Sequence, residues 1–295
     1  MAGLTLLKQV KDAVSNLNPN EVRAMADRPF TIGLTASSNA AYERMEQFLV
    51  PPNDPADRDK PLQLGRIVYR KGAPGAPTSF DIELAEEGIL KPRHAISFNL
   101  DQPDNMIKKV LDAHPDLSLP LARNIAAFRQ PVIQRAIKNV AKENALFALA
   151  TAVPNIIPLL SLPLSVGEAA SDTAFITMNQ IRLAFLVAAA YNAPIGYGEQ
   201  RGQIGSVIAS AFGWRAIARE LVGYIPMGGG LIPKAGLAYA GTYVVGASIE
   251  RYYRIGKQYT DEEKKAVFQQ ALAKGKEIAS AVMESLKSQQ RVKAS

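Results

Sequence analysis

Apolar and polar positions change rhythm twice along this chain. Leu4, Leu7, Val10, Val14 and Leu17 recur at helical spacing, which predicts an amphipathic helix over 4–17. Asn18-Pro19-Asn20 stops that helix and caps the next at Glu21. Short apolar segments then alternate with polar turns. Pro29 to Thr35 reads as a strand, followed by the loop Ala36-Ser37-Ser38-Asn39 and a helix from Ala40 to Leu49, closed by Pro51-Pro52. Leu64 to Arg70 and Ser79 to Leu84 read as strands around a Gly/Pro turn at 72–77. His94 to Leu100 reads as another strand, and Asp101-Gln102-Pro103-Asp104 opens a helix toward Ala113. Strands alternating with helices predict a small, partly parallel sheet, an α+β or α/β module over residues 1–120.

From Leu121 the rhythm becomes helical. Residues 121–150 form one long pattern with a break expected near Pro131. Uncharged runs follow: Asn144 to Gly167, Leu183 to Gly198, Gly202 to Trp214, Leu221 to Pro233 and Ala235 to Ile249. Thr260 to Lys293 is charged and amphipathic, and Thr260-Asp261-Glu262-Glu263 has the form of a capped helix start. Residues 121–295 thus read as a mostly α-helical, apolar domain with a charged C-terminal helix. Two domains also suit a chain of 295 residues.

Composition removes several chemistries. With 47 % hydrophobic and 21 % charged residues, the chain has the make-up of a folded protein. It has no cysteine, which excludes a disulfide scaffold, thiol catalysis and cysteine-ligated metal clusters. His94 and His114 leave little for a histidine metal site, and neither a metal nor a cofactor is expected. The net charge of +7 divides unevenly, −2 on residues 1–120 and +9 on residues 121–295. The cations stand between long uncharged runs, a pattern closer to membrane-flanking charge than to a nucleic-acid face. No nucleic-acid partner is expected.

A strand, a short loop and a helix near the start is the setting of a P-loop. That motif needs glycines to wrap phosphates, a Lys for the outer phosphates and a Ser or Thr for Mg²⁺. Laid over this chain, its glycines fall on Ala36 and Ala41, its lysine on Tyr42 and its hydroxyl on Glu43. Every chemically required position is wrong, and no Asn-Lys-x-Asp for guanine is present. Asp81, Glu83, Glu86 and Glu87 cluster, yet they read as a solvated strand edge and turn. His94 and His114 have no matched nucleophile, and there is no Gly-x-Ser-x-Gly elbow. No catalytic residue is expected.

Residues 140–256 carry a set of elements that together are distinctive. They are a Pro-interrupted apolar opening, Asn179-Gln180 before an apolar helix, Tyr191 with Gly196, and Arg215 through Leu221. Ile225-Pro226, glycines 228–230 and Gly241-Thr242 with Gly246 complete the set. This series resembles the hydrophobic domain of unknown function attached to some bacterial Era-like GTPases and found in related inner-membrane proteins. The resemblance implies that residues 1–120 are a degenerate GTPase-like module. It implies a place in the bacterial cytoplasm, at the inner face of the cytoplasmic membrane.

A membrane span needs ~20 apolar residues. Asn144 to Gly167 is long enough but holds Pro154, Pro158 and Pro163; Leu221 to Ile249 holds Pro226, three glycines and Pro233. The second run is therefore expected to divide into two short helices. Small residues such as Gly236, Ala240 and Gly241 permit close helix packing. Three readings stay open: peripheral or hairpin insertion, a soluble bundle, and true spans. Glu168, Asp172, Asn179 and Arg182 lie near one helix face, and Arg215, Arg219 and Glu220 form a second group. These seven are a candidate polar groove for a headgroup or, alternatively, an internal ion-pair network. Arg251, Arg254 and Lys257 follow the last apolar run as candidate lipid-facing cations. The leading expectation is a non-enzymatic, membrane-associated interaction protein. The alternatives are a soluble helical scaffold or homo-oligomer, and residual nucleotide binding.

Overall fold

The computed structural model describes residues 17–50, 67–151, 172–205 and 230–294. The predicted helix over 4–17 lies outside them but for its last residue, as does the uncharged run over 152–167. The described chain forms two compact units, one of residues 20–134 with 188–194, the other of the remainder.

The first unit is an α/β module. Helix α1 (Pro19–Ala26) starts on a proline, whose missing N–H is not needed in a first turn, and buries Val22 and Ala26. Strand β1 (Ile32–Thr35) leads into α2 (Asn39–Leu49). Ser38 is the N-cap of α2 and accepts from the Ala41 N–H. Ala41, Met45 and Leu49 recur every four residues and form the buried stripe of α2. Strands β2 (Val68–Arg70), β3 (Ile82–Glu86) and β4 (Ile96–Phe98) complete a four-stranded, all-parallel sheet ordered β2-β1-β3-β4. The strand expected over Ser79 to Leu84 runs two or three residues later. Thr31 donates from both its N–H and its hydroxyl to Asp81, so Asp81 closes the turn that precedes β3 rather than lying within it.

The register puts Leu34 beside Leu84 and Leu84 beside Ile96. Helix α2 covers that apolar face: Phe48 meets Phe98 edge-on, and Arg70 holds Glu46 through two hydrogen bonds of 2.8 Å. By strand alternation, Gly33, Glu83, Ala85 and Ser97 share the opposite face. Gly33 is small for a reason found in the β2–β3 connection: a Cβ there would fall 2.4 Å from the ring of Phe80. Helix α3 (Pro103–Ala113) packs beside β4 and buries Met106, Ile107, Val110 and Leu111. A 3₁₀ turn (Pro115–Leu117) and α4 (Ser118–Asn124) follow.

Helix α5 (Ala126–Ala150) contains Pro131 without a break. The interruption expected there falls instead at Ile125, which is extended and fully buried. Pro131 stands in the second turn of α5, where it forgoes only the bond to the Ala127 carbonyl.

The second unit is helical. It comprises the later part of α5, most of α6 (Asp172–Ala190), α7 (Leu231–Ile255) and α8 (Asp261–Ala294). Its core joins Ala141, Ala145 and Leu149 of α5 to Tyr239, Ala240 and Val244 of α7 and Phe268, Ala271 and Ala279 of α8. Helix α7 starts just after the glycines 228–230, and Pro233 lies in its first turn, where its absent N–H has no helical partner to lose. Residues 221–229 lie outside the described chain. Helix α7 closes on Gly256 in the left-handed conformation (φ 69°). Helix α8 opens on a reciprocal capping box, the Thr260 N–H to Glu263 Oε2 and the Glu263 N–H to Thr260 Oγ1.

Candidate functional site

In an open parallel sheet, ligands enter beyond the carboxyl ends of the strands, where connections leave in opposite directions. In the order β2-β1-β3-β4 that place lies between β1 and β3. There the chain makes a bond of its own. Glu86, the last residue of β3, accepts from the Ser37 N–H at 2.8 Å and the Ser37 hydroxyl at 2.6 Å. Those bonds hold the Glu86 carboxyl below its ordinary range, because they favour the ionised form. A carboxylate is thus bonded to the loop between β1 and α2, just before the N-terminus of α2.

The opposite sheet face carries a polar cluster beside Gly33 and the buried Ala85. Glu83, largely buried, meets Lys71 at 2.8 Å and His94 at 3.2 Å. The Lys71 hydrogen bond lowers the Glu83 carboxyl, partly opposed by burial, and His94 adds to the lowering. Lys91 donates to the Ser97 hydroxyl. The sequence offered Glu83 and Glu86 as solvated edge carboxylates; each instead has a specific partner. Asp81 is paired with Thr31, and Glu87 accepts from Asn99.

The helical unit contains a buried amide and hydroxyl network. Asn179 of α6 donates to the Asn144 oxygen of α5 at 2.8 Å, and Asn144 donates to the Thr242 hydroxyl of α7 at 2.8 Å. Gln180 also reaches that hydroxyl, at 3.3 Å, while its own oxygen has no partner among the described residues. All four residues are at most 4 % exposed. Three helices are thereby tied at one level, since any sliding would strand amides in an apolar interior. Nearby in sequence, Arg182 stands 3.9 Å from Glu143. Burial pushes the Glu143 carboxyl up, and Arg182 only partly offsets it.

Of the seven residues expected to form a polar groove, Asn179 enters this network and Arg182 pairs with Glu143. Glu168, Arg215, Arg219 and Glu220 lie outside the described residues, and Asp172 is described only as the first residue of α6. Asn144, the partner of Asn179, and Thr242, which accepts from Asn144, were not expected from sequence to form a polar network. The available signal was a lone amide at the border of an apolar run, next to helices rich in alanine.

Of the three candidate lipid-facing cations, Arg251 bonds Glu263 at 3.1 Å and lies over the Tyr259 ring, 4.5 Å from its centre. Arg254 bonds the buried Glu250 at 2.8 Å, and Lys257 is exposed. Sequence reading also passed over Arg129. It is 7 % exposed, donates to the Ala190 carbonyl at 2.9 Å and the Ala122 carbonyl at 3.3 Å, and lies over the Tyr191 ring. One guanidinium thus serves the C-terminal carbonyls of α4 and α6, which suits a cation at helix C-termini.

Among the described residues, no group of three or more His, Asp or Glu has the arrangement of a metal site. One described helix segment, Thr173–Ala190, is long and apolar enough to cross a membrane, and 72 % of it is buried within the protein. No family model matches the chain, and neither do curated proteins or solved structures.

Proposed function

We propose that the protein is a non-enzymatic interaction protein that docks on the inner face of a bacterial cytoplasmic membrane. Its α/β unit is a degenerate GTPase-like module that presents surface without turning over nucleotide. The observation that carries this reading is the Ser37–Glu86 contact. A nucleotide arriving above β1 and β3 would bring phosphates against a carboxylate already bonded to the N–H and hydroxyl of Ser37. The P-loop cation and hydroxyl are absent from the same stretch, which carries Tyr42 and Glu43 instead.

Docking on the membrane, rather than spanning it, is supported by α6. Its apolar side chains, including Phe175, Ile181, Leu183, Phe185 and Val187, are buried in the protein. The excess of +9 on residues 121–295 supplies the attraction to an anionic leaflet. Flotation with anionic vesicles at low salt tests the reading: wild-type protein should rise with the lipid, and full recovery in the soluble fractions would sink it. Titration with GTP and ATP tests the other half, where saturable binding at millimolar ligand would count against a nucleotide-free module.

The burial of α6 also favours a second reading, a soluble scaffold or homo-oligomer whose apolar helices serve only one another. Size-exclusion chromatography without detergent separates the two. A monodisperse particle that ignores anionic vesicles supports the scaffold.

A further inference from the structure

The connection from β3 to β4 carries an apolar tip with cations beside it. Leu90 is 99 % exposed, about twice the exposure of Met25, Tyr252 or Ile255, the other exposed large apolar side chains among the described residues. A leucine held fully in water gains nothing for the fold. Its neighbours from 88 to 94 are Gly, Ile, Lys, Pro, Arg and His, with no carboxylate. Gly88 adopts φ +90°, with open space where a side chain would stand, so the chain turns sharply outward there. Pro92 restricts the descending limb, and Lys91 is anchored on Ser97. Ile89 is half-buried and Arg93 exposed.

The carboxylates nearest in sequence stand at the base of the loop, outside residues 88–93. Glu86 bonds Ser37, Glu87 bonds Asn99, and Glu83 faces Lys71 and His94. Between Gly88 and Arg93 the tip is apolar at its apex and carries the exposed Arg93 beside it, which suits an anionic bilayer surface with acyl chains beneath.

We propose that the 88–93 loop is a lipid contact of this protein in addition to its basic second part, with Leu90 entering the acyl boundary and Arg93 meeting anionic headgroups. This rests on the membrane-docking reading and names residues that take part in it. The test is flotation of the full chain with phosphatidylcholine vesicles, with and without phosphatidylglycerol. Wild type should rise with the anionic vesicles, and Leu90→Asp should partition about tenfold more weakly. Arg93→Glu should also weaken binding, more so at low salt. Met25→Asp, an equal charge change at another exposed apolar site, should bind like wild type.

Because the chain has no cysteine, Leu90→Cys gives a unique site for an environment-sensitive fluorophore. Its emission should shift to the blue on anionic vesicles. Leu90→Asp floating like wild type, or a label that stays in water on bound protein, would overturn the loop assignment and leave the docking reading standing. Wild type that fails to float overturns both.

Discussion

Gly236 of α7 and Gly275 of α8 meet backbone to backbone. A Cβ on Gly275 would lie 3.0 Å from the Gly236 Cα, 3.0 Å from its carbonyl oxygen and 2.7 Å from the Tyr239 Cβ. None of those atoms is the free end of a flexible chain, so the helices would have to separate. Gly275→Ala gains about 1 kcal/mol of helix propensity but meets an overpacking cost of about 1–3 kcal/mol. A net loss of stability is expected in urea denaturation. Gly202→Ala, with open space around it, should be neutral or stabilising by the same measure.

The Asn144–Asn179–Thr242 network should behave as one unit. Asn144→Ala leaves a buried donor on Asn179 without its acceptor, which costs about 1–3 kcal/mol. A double-mutant cycle of Asn144→Ala with Thr242→Val should show coupling of about 0.5 kcal/mol or more. Strict additivity would mean that the two side chains do not share an interaction.

Two carboxyls should give opposite pH responses. Glu86 titrates below its ordinary value, near ~4.3 for a free glutamate, because Ser37 bonds its ionised form. Its contribution is complete above the unfolded value and is lost as pH falls through the lower folded value. The stability advantage of wild type over Glu86→Gln should therefore shrink in acid. Glu143 titrates above its ordinary value through burial. Its contribution is complete below the unfolded value and is lost as pH rises through the folded one. Glu143→Gln should be more stable than wild type at neutral pH, with the gap closing in acid. Urea midpoints collected across the acid range check both signs.

At the start of α8, Thr260→Ala removes the acceptor for the Glu263 N–H. A loss of about 1 kcal/mol is expected, read as a lower thermal midpoint. Thr260→Ser keeps the hydroxyl and should recover most of it.

The elements themselves were readable in advance where a local signal existed. Thr260 and Glu263 form the capping box that their spacing announced, and Pro103 opens α3 where a proline tolerates a first turn. The strand pattern from Ile32 to Phe98 yielded the parallel sheet. Pro131 was misread as a break, because proline's cost depends on its distance from the helix start. That distance is set by where Ile125 turns the chain.

By itself, the sequence determined a small sheet module ahead of a helical domain, the absence of thiol and P-loop chemistry, and the placement of positive charge on the second part. Tertiary structure decided what the polar residues are for. Ser37 and Glu86, or Asn144 and Thr242, are separated by 49 and 98 positions, and no periodicity or cap signal reaches that far. Their pairing follows from strand order and helix register, which arise when apolar faces are buried together and each enclosed polar atom must find a partner.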